Sequence, residues 1–526
     1  MVRGTLAPDS EKSPLEREHR MRQGKCHNLE CSTAARGPVV DVPDGSEFRC
    51  PECGRDLREV GAWHHLPAAF VVFLIVQAVF FGFFGWQWAF GAPRKTSSRT
   101  EGRVLLRLAG SNTIGSSLGP ALAEAFLKQQ LQASDVRVQA GAVAEETNIS
   151  GLLPGAHSRS VITIAAHGSA TAFAGLAEGK CDIGAASRKV KSDEVQKLSA
   201  LGDMTAFASE HVLGLDGVVV IVNSTNPLPS LRVDQVAQIF SGAVTDWAQV
   251  GGKPGPIIIY ARDDKSGTYD TFKNLILGSN ALVSTAHRYE DSNQLSDAVA
   301  NDANGVGFIG LPYIHGAKAL AIATAGARPL LPNLLTVATE DYPLSRRLFL
   351  YTPENSPNRM VRPFVEFALS KAGQDVVANA GFVSQNIRLE HAVAPADAPR
   401  AYRALTQAAQ RLSLDFRFRT GKSDLDNKAL VDLERMAAFF SDLRYRGEDV
   451  LLLGFADNTG VRAVNLQLSL DRARKVNEEF QRRGLKPSVV EGFGPDLPIA
   501  SNDTDDGREK NRRVEVWLKG ATTARE

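Results

Sequence analysis

One stretch of the chain is apolar without interruption and stands apart from the mixed pattern around it. Residues 66–90 read LPAAFVVFLIVQAVFFGFFGWQWAF and contain no charged side chain. About 20 apolar residues in a helix span the bilayer core, and Trp86 and Trp88 near the far end suit a membrane interface. The pattern predicts a single transmembrane helix over 66–90. A buried helix of a soluble domain is the alternative, but such helices are rarely this long and charge-free.

Beyond this stretch, and a short polar linker at 91–103, strand and helix patterns alternate over residues 104–390. Val104–Leu108 has the pattern of a strand, and residues 118–131 have that of a helix. Later, residues 257–262 predict a strand that leads into a helix over 270–277. Alternating strands and helices of this kind indicate an α/β domain.

The last part of the chain, residues 411–520, has its own alternation. Residues 413–418 predict a strand, 425–440 an amphipathic helix, 450–454 a buried strand, 469–482 a helix and 514–518 a last strand. Residues 391–410 are rich in Ala, Pro and Arg and predict a linker that merges into a helix. The chain as a whole is therefore expected to be a multidomain α/β protein.

Length and charge limit the remaining possibilities. A chain of 526 residues is too long for one core and should form several folding units. Its net charge of +1 gives no general basis for binding nucleic acid. Residues 1–22 are polar and charged, and we expect them to be disordered.

Four of the five cysteines precede the apolar stretch. Cys26 and Cys31 form a C-x4-C pair, and Cys50 and Cys53 form a C-x2-C pair in CPECG. Two thiolate pairs at this spacing can close a tetrahedral Zn²⁺ site, and the second pair resembles a zinc-ribbon knuckle. We therefore expect a zinc-ribbon-like segment over 23–62 with these four cysteines as ligands of a structural zinc ion. Two disulfides in an oxidising compartment are the alternative.

Small polar residues follow two predicted strands of the 104–390 region, each before a helix. They are GSNTIG at 110–115 and DDKSGT at 263–268. Free backbone N–H groups at a helix start favour an oxyanion. Together with HGSAT, CDIGAASR and GVGFIG, these segments resemble the PstS family of bacterial phosphate-binding proteins. The resemblance implies a type II-like, two-lobed periplasmic-binding-protein fold that closes over one oxyanion.

Carried over by position, the PstS resemblance implies a set of phosphate ligands. These are Thr113, the amide of Ile114, Ser169, Arg262, Ser266, Gly267 and Thr268. Asp182 would have a separate role. A carboxylate can only accept hydrogen bonds, so it would favour an anion that still carries a proton, such as hydrogen phosphate, over sulfate.

The segment GFADNTG at 454–460, followed by Asn465, Leu468–Ser469 and Arg472–Ala473, resembles the OmpA C-terminal family. The resemblance implies an OmpA-like α/β sandwich over 411–520 that binds peptidoglycan. Asp457 and Arg472 would bind the charged ends of diaminopimelate in the stem peptide, because a zwitterion needs one anion and one cation. Asn465 would brace the loop.

An enzyme is not expected. The sequence contains no HExxH or P-loop motif, and the adjacent pair Asp263–Asp264 is more typical of a solvated surface than of a metal site.

These expectations combine into one topology. The helix at 66–90 begins too late for an ordinary signal peptide and should stay as an inner-membrane anchor. The cysteines would be cytoplasmic and the two later domains periplasmic, although the flanking basic residues mildly oppose this orientation. The resulting hypothesis is a tethered protein that binds phosphate or a similar oxyanion and holds peptidoglycan, with an ABC permease as a candidate partner. The alternative is a structural or signalling envelope protein whose solute-binding fold senses a ligand or has lost phosphate.

Overall fold

The computed structural model describes residues 21–25, 31, 39–43, 47–59, 102–264, 266–418, 424–442 and 449–520. The chain divides into two compact units, Met1–Lys95 and Thr96–Glu526. The expected span at 66–90, the expected ligand Cys26 and most of the linker at 91–103 lie outside the described residues, as do residues 1–20. Among the helices of the described part, none combines the length and the apolar character needed to cross a bilayer.

The N-terminal unit contains a small antiparallel sheet. Its strands are β1 (Met21–Lys25), β2 (Val40–Pro43) and β3 (Arg58–Glu59), in the order β2-β1-β3. Met21 and Arg22, which fall within the predicted N-terminal tail, belong to β1. Cys31, Val42, Cys50 and Leu57 form a small buried cluster.

The middle domain is built on an 11-stranded sheet with the order β12-β11-β13-β9-β16-β8-β4-β7-β6-β5, where β14 also pairs with β9. A separate parallel pair joins β10 to β15. The strands are β4 (Arg103–Gly110), β5 (Ser134–Ala140), β6 (Glu146–Leu152), β7 (Ser160–Ala165), β8 (Ile183–Ala186), β9 (Glu210–Val222), β10 (Ser230–Arg232), β11 (Ile258–Arg262), β12 (His287–Tyr289), β13 (Gly305–Gly310), β14 (Lys318–Ala319), β15 (Ala321–Ala323) and β16 (Ser345–Tyr351).

Helices pack on this sheet, and the buried side chains of the domain form two main cores, one in each of two lobes. The helices are α1 (Gly119–Ala125), α2 (Ser169–Ala177), α3 (Ser192–Lys197), α4 (Val233–Phe240), α5 (Gly267–Phe272), α6 (Ser292–Asn301), α7 (Leu334–Ala338), α8 (Val361–Leu369) and α9 (Lys371–Asn379). π-Helical turns at Ile114–Leu118 and Phe126–Gln130 extend α1 at both ends. The first lobe is centred on Leu122, Phe126 and Phe364, and the second on Phe240, Phe272 and Phe308.

Two strands, β9 and β16, cross between the lobes, and we call them the hinge strands. Residues 210–217 of β9 pair with β16, whereas residues 218–222 pair with β13 of the second lobe. The last residues of β16 pair with β8 of the first lobe. Both strands are buried over most of their length, which explains their long apolar runs.

The C-terminal domain has a five-stranded sheet in the order β17-β18-β21-β19-β20. Its elements are β17 (Leu389–Glu390), α10 (Arg400–Thr406), β18 (Ala409–Arg417), α11 (Asn427–Asp442), β19 (Val450–Gly454), α12 (Arg462–Arg482), β20 (Val489–Gly492), α13 (Asp505–Asn511) and β21 (Arg513–Lys519). The linker predicted at 391–410 is instead part of this domain. Helix α10 folds back because Tyr402 packs edge-on against Phe455 and Trp517.

The two faces of this sheet differ sharply. The apolar face carries Phe416, Val514 and Val516, which pack with residues of α11 and α12. The opposite face, which we call the charged face, is buried although it is ionic. It consists of Arg411, Asp415, Arg417, Arg513 and Glu515. Arg411 pairs with Asp341 of the middle domain at 2.9 Å, so the charged face docks directly on that domain.

Candidate functional site

The end of β4 and the start of α5 meet in the cleft between the lobes. Thr113 Oγ1 donates a hydrogen bond to the carbonyl oxygen of Gly267 at 3.1 Å. A β-carbon on Gly267 would lie 2.4 Å from Thr113 Cα, so only glycine permits this approach. Ser266 caps α5 by accepting from the amide of Tyr269 at 3.3 Å. The structure therefore brings together Thr113, Ser266 and Gly267, with Thr268 next in the same helix.

Ser169, the first residue of α2, lies at the same end of the first-lobe sheet as Thr113 and is hydrogen-bonded to Ser187. The amide of Ser187 donates to Ser169 Oγ at 3.0 Å, and the two hydroxyl oxygens lie 3.1 Å apart. The side chain of Ile114 is buried in the first-lobe core. Ser187 is thus a cleft residue that the sequence analysis did not select.

A buried arginine, Arg346, occupies the centre of the cleft. Its Nη2 donates to Thr113 Oγ1 at 2.5 Å and to the carbonyl oxygen of Gly267 at 3.2 Å. Its Nη1 donates to the carbonyl oxygen of Ser187 at 3.5 Å. One guanidinium group therefore contacts both lobes and three of the loops from which an oxyanion site would be built.

Two carboxylates accompany Arg346. Its Nε lies 3.4 Å from Asp216 Oδ2, and its Nη1 lies 3.9 Å from Asp270 Oδ2. Thr271 Oγ1 also donates to Asp216, at 3.2 Å. Burial lowers the pKa of Arg346 while the two carboxylates oppose that shift. The centre of the cleft thus offers a cation, hydroxyl groups and hydrogen-bond acceptors close together.

Asp182 does not lie in this cleft, contrary to the role expected for it. Its backbone N–H donates to the carbonyl oxygen of Arg107, and its carboxylate pairs with the Arg107 guanidinium at 2.9 Å. Asp182 is thus level with Arg107 on β4. Arg107 precedes Ser111, where the loop that carries Thr113 begins, by four residues, or about 13 Å along the strand. The DIGAASR segment is extended, and only its far end at Ser187 reaches the cleft.

Arg262 also makes contacts other than those expected. Its guanidinium donates to the carbonyl oxygens of Tyr289 at 3.3 Å and Glu290 at 2.7 Å, and to Ser292 Oγ. Within residues 102–264 and 266–418, no hydrogen bond joins it to Thr113, Ser169 or Ser266. Burial lowers its pKa, with partial compensation from Asp263. The central cation of the described cleft is Arg346 instead.

In the C-terminal domain, Asp457 already has a cationic partner. Arg512 Nη1 lies 2.9 Å from Asp457 Oδ2. The amide of Thr459 donates to the other carboxylate oxygen at 2.9 Å. These bonds lower the pKa of Asp457 although burial raises it. Arg512, which is not among the residues that the OmpA resemblance implies, is therefore part of the candidate peptidoglycan site.

Arg472 lies near this carboxylate on α12. Its guanidinium is over the ring of Phe418 at 5.7 Å and donates to the carbonyl oxygen of Phe455 at 3.5 Å. Burial and then Arg512 lower its pKa, whereas Asp457 raises it. Asn465 donates to the carbonyl oxygen of Thr459 at 3.1 Å, so it does brace the loop that carries Asp457.

Each of the two domains matches the model of a known protein family. A family model described as "PBP superfamily domain" matches residues 97–372. The chain belongs to the PBP superfamily. A second model, described as "OmpA family", matches residues 417–512. The predictions of a PstS-like middle domain and an OmpA-like C-terminal domain are thereby confirmed, and the middle domain is the PBP superfamily domain of the chain.

Several relatives of this PBP superfamily domain are named as phosphate-binding proteins. Protein SphX of Synechococcus elongatus is 32% identical over 234 residues, which are 42% of this chain and 68% of that protein. Phosphate-binding protein PstS of Pseudomonas aeruginosa is 30% identical over 241 residues, 42% of this chain and 73% of PstS. Among solved structures, an ABC-type phosphate transport receptor from Vibrio cholerae matches 53% of this chain and 99% of its own, with a TM-score of 0.41 and 22% identity. PstS from Borrelia burgdorferi matches 54% and 98%, with a TM-score of 0.39 and 19% identity.

Three cysteines converge in the unit that precedes the PBP superfamily domain. The sulfur atoms of Cys31, Cys50 and Cys53 lie within 4.8 Å of one another, and those of Cys31 and Cys50 are 3.7 Å apart. Four thiolates at 2.3 Å from a tetrahedral Zn²⁺ ion would be about 3.8 Å apart. The donor set and its spacing therefore fit a zinc ion, and the fourth expected ligand, Cys26, lies outside the described residues.

A signal for the missed cleft residues was present in the sequence. Strand β16 reads SRRLFLY, in which two arginines stand inside an otherwise apolar and fully buried strand. Buried charges are retained when they are paired or bind a ligand, so this pair marks a functional or docking position. Asp216 gives the same signal in β9, between Leu215 and a run of valines.

Proposed function

We propose that this protein binds phosphate in the cleft of the middle domain and attaches non-covalently to peptidoglycan through its C-terminal domain. The observation that carries the phosphate proposal is the buried guanidinium of Arg346, which reaches hydroxyl and backbone groups of both lobes. A planar guanidinium, which presents its N–H donors in a fixed fork, suits an oxyanion. Kinship with proteins named for phosphate binding supports the same ligand.

The cleft also contains groups that would select hydrogen phosphate over sulfate. Asp216 and Asp270 lie beside Arg346, so a bound anion would meet acceptors as well as donors. A carboxylate favours an anion that carries a proton. These two residues take over the selectivity role that the sequence analysis assigned to Asp182.

Calorimetric titration of the full-length protein tests this proposal. Inorganic phosphate should bind with one site per chain, and an equal concentration of sulfate should give no saturable heat. The absence of phosphate binding by a protein that is folded, as judged by circular dichroism, would remove the proposal.

The second candidate is a sensing or structural role in which phosphate binding has been lost. It is favoured by the hydrogen bonds that the cleft groups make with one another, since Thr113, Gly267 and Arg346 are already mutually satisfied. The same titration distinguishes the two candidate functions. A sensor of another ligand, or a structural protein, would be folded but would give no saturable heat with phosphate.

For peptidoglycan, Asp457, Arg472 and Arg512 form the proposed binding site. Two cations and one anion suit a diaminopimelate residue whose carboxylate and ammonium groups both need partners. Asp457→Ala and Arg472→Ala should each weaken the affinity for purified peptidoglycan, measured by co-sedimentation, by about tenfold, the loss expected for one charge-assisted hydrogen bond. Arg474→Ala, on the exposed side of the same helix, is the matched control. Sedimentation of both site variants at the control level would exclude this site.

The anchoring part of the proposal rests on residues 66–90, which we propose to be an inner-membrane span with the N-terminus in the cytoplasm and both later domains in the periplasm. An ABC permease is a candidate partner there. Labelling of the N-terminal cysteines by an impermeant thiol reagent on intact cells would reverse this orientation.

We further propose that Cys26, Cys31, Cys50 and Cys53 hold one structural Zn²⁺ ion. Metal analysis of the purified protein should find about one zinc per chain. Cys50→Ala should lose most of that zinc, whereas Cys181→Ala, a change at a buried cysteine of the middle domain, should retain it. Equal zinc contents in the two variants would exclude the site.

A further inference from the structure

The hinge strands contact the cleft on one face and the C-terminal domain on the other. Arg346 pairs across the strands with Asp216, and the next residue, Arg347, pairs with Leu215. Successive side chains of a strand point to opposite faces, so Arg346 faces the cleft and Arg347 faces the back of the hinge. There Arg347 bonds to Glu340 at 2.8 Å and to Asp426 of the C-terminal domain at 2.7 Å. The C-terminal domain therefore contacts the strands that any opening of the cleft must bend.

The C-terminal domain also contacts the second lobe close to Arg347. Arg411 pairs with Asp341 at 2.9 Å, and Arg417 donates to the carbonyl oxygen of Thr339 at 2.6 Å. Both acceptors lie in the short loop between α7 and β16. Glu340 of the same loop is buried, and although burial alone raises its pKa, Arg347 and Arg417 bring it down to about 2.

A separate set of contacts holds the first lobe. Asn427 Nδ2 donates to the carbonyl oxygen of Thr205 and to Glu210 Oε1, each at 3.0 Å. Lys189 pairs with Glu509 at 2.9 Å. Asp426 and Asn427 are consecutive, so the start of α11 contacts a hinge strand and the first lobe at the same time.

All these contacts coexist with a closed cleft, in which Gly267 packs on Thr113. Hinge motion changes the angle between two lobes, and a rigid domain bound to both can keep its contacts only near one angle. Buried ion pairs tolerate little misalignment. Docking on both lobes and closure of the cleft are therefore mutually supporting.

We propose that the C-terminal domain is a hinge-side clamp, whose docking on both lobes favours the closed cleft and is in turn favoured by an oxyanion bound there. The second half of this inference rests on the proposed phosphate binding. Linkage requires the two effects to be equal in size. Through this clamp, the wall-binding domain sets how tightly the cleft holds its anion.

Hydrogen exchange of the ligand-free full-length protein tests the clamp without phosphate. Asn427→Asp places a carboxylate against Glu210 and should break the first-lobe contact by like-charge repulsion. Amides of residues 113–118 and 267–272 should then exchange about fivefold faster or more, the low end of typical coupling between sites. Glu434→Gln, which removes an exposed ion pair with Arg483 inside the C-terminal domain, is the matched control and should leave them unchanged. Unchanged exchange in Asn427→Asp overturns the clamp.

Titration of the same proteins with inorganic phosphate tests the linkage. The dissociation constant of Asn427→Asp should rise about fivefold or more over wild type, while Glu434→Gln keeps the wild-type value. Faster exchange with unchanged affinity overturns the linkage to the anion. A wild type that binds no phosphate overturns the proposed function and this linkage, while hydrogen exchange still decides on the clamp.

A second variant guards against simple misfolding. Asp426→Asn removes the charge opposite Arg347 but keeps a side-chain oxygen for the amide of Ala429, which caps α11. If circular dichroism finds Asn427→Asp unfolded, Asp426→Asn takes its place. It should show the same faster hydrogen exchange and the same weaker phosphate binding, and wild-type exchange or wild-type affinity would overturn the clamp or the linkage as before.

Discussion

Replacing Arg346 by glutamine should weaken phosphate binding about a hundredfold or more, because two effects act together. The variant loses hydrogen bonds from a charged donor, each of which contributes about 1.5–3 kcal/mol. It also leaves Asp216 and Asp270 without their cation beside a bound anion, and about 1.4 kcal/mol corresponds to each tenfold change in affinity. Calorimetric titration of the full-length variant with inorganic phosphate measures the change.

Arg107→Gln is the matched control for this substitution. Arg107 lies on β4 of the first lobe and pairs with Asp182, about 13 Å from the cleft along the strand. It should bind phosphate like wild type. Arg262→Gln in the same series tests whether the arginine selected from sequence also reaches the anion. Binding by Arg346→Gln within threefold of wild type would show that Arg346 is not a ligand.

Replacing Asp341 by alanine should lower the free energy of unfolding more than any other substitution described above. Asp341 is 2% exposed and is shared by Arg411 at 2.9 Å and Arg417 at 3.5 Å. Removing one partner from a buried ionic group costs about 3–5 kcal/mol, because the remaining charges stay buried without compensation. The urea midpoint of the unfolding transition, followed by circular dichroism, should fall accordingly.

Glu434→Gln is again the control for this experiment, since its ion pair with Arg483 is exposed at the glutamate. Exposed pairs contribute about 0–1 kcal/mol. If the midpoint of Asp341→Ala moves no further than that of Glu434→Gln, the docking of the charged face contributes nothing to the stability of the protein.

The contrast between Thr113 and Arg346 explains what the sequence could predict. Thr113 and Gly267 each sit where a strand gives way to a helix, a local pattern that one short segment reveals. Arg346 acquires its role only when β16 pairs with β9, which puts it opposite Asp216 from a distant part of the chain. Long-range pairing of this kind leaves no local periodicity, so only the unusual charge in an apolar strand indicates it.

Asp182 and residues 391–410 differ from the expectations for related reasons. The strand over Ile183–Ala186 separates Asp182 from Ser187 by roughly 16 Å, so the two ends of DIGAASR cannot serve one small anion. Residues 391–410 have the composition of a linker. They are nevertheless ordered around Tyr402, whose hydroxyl donates to the buried carboxylate of Glu515 at 2.8 Å. Composition alone does not reveal a partner that lies more than a hundred residues later.

The adjacency of Arg346 and Arg347 makes the strand that carries them intolerant of insertions and deletions. A shift of one residue in β16 would turn every side chain to the opposite face. The guanidinium that serves the cleft would then point to the C-terminal domain, and the one that serves the docked domain would point into the cleft. Chain length between Tyr342 and Arg346 is therefore as tightly constrained as the identity of either arginine, and length variation among relatives should fall elsewhere in the domain.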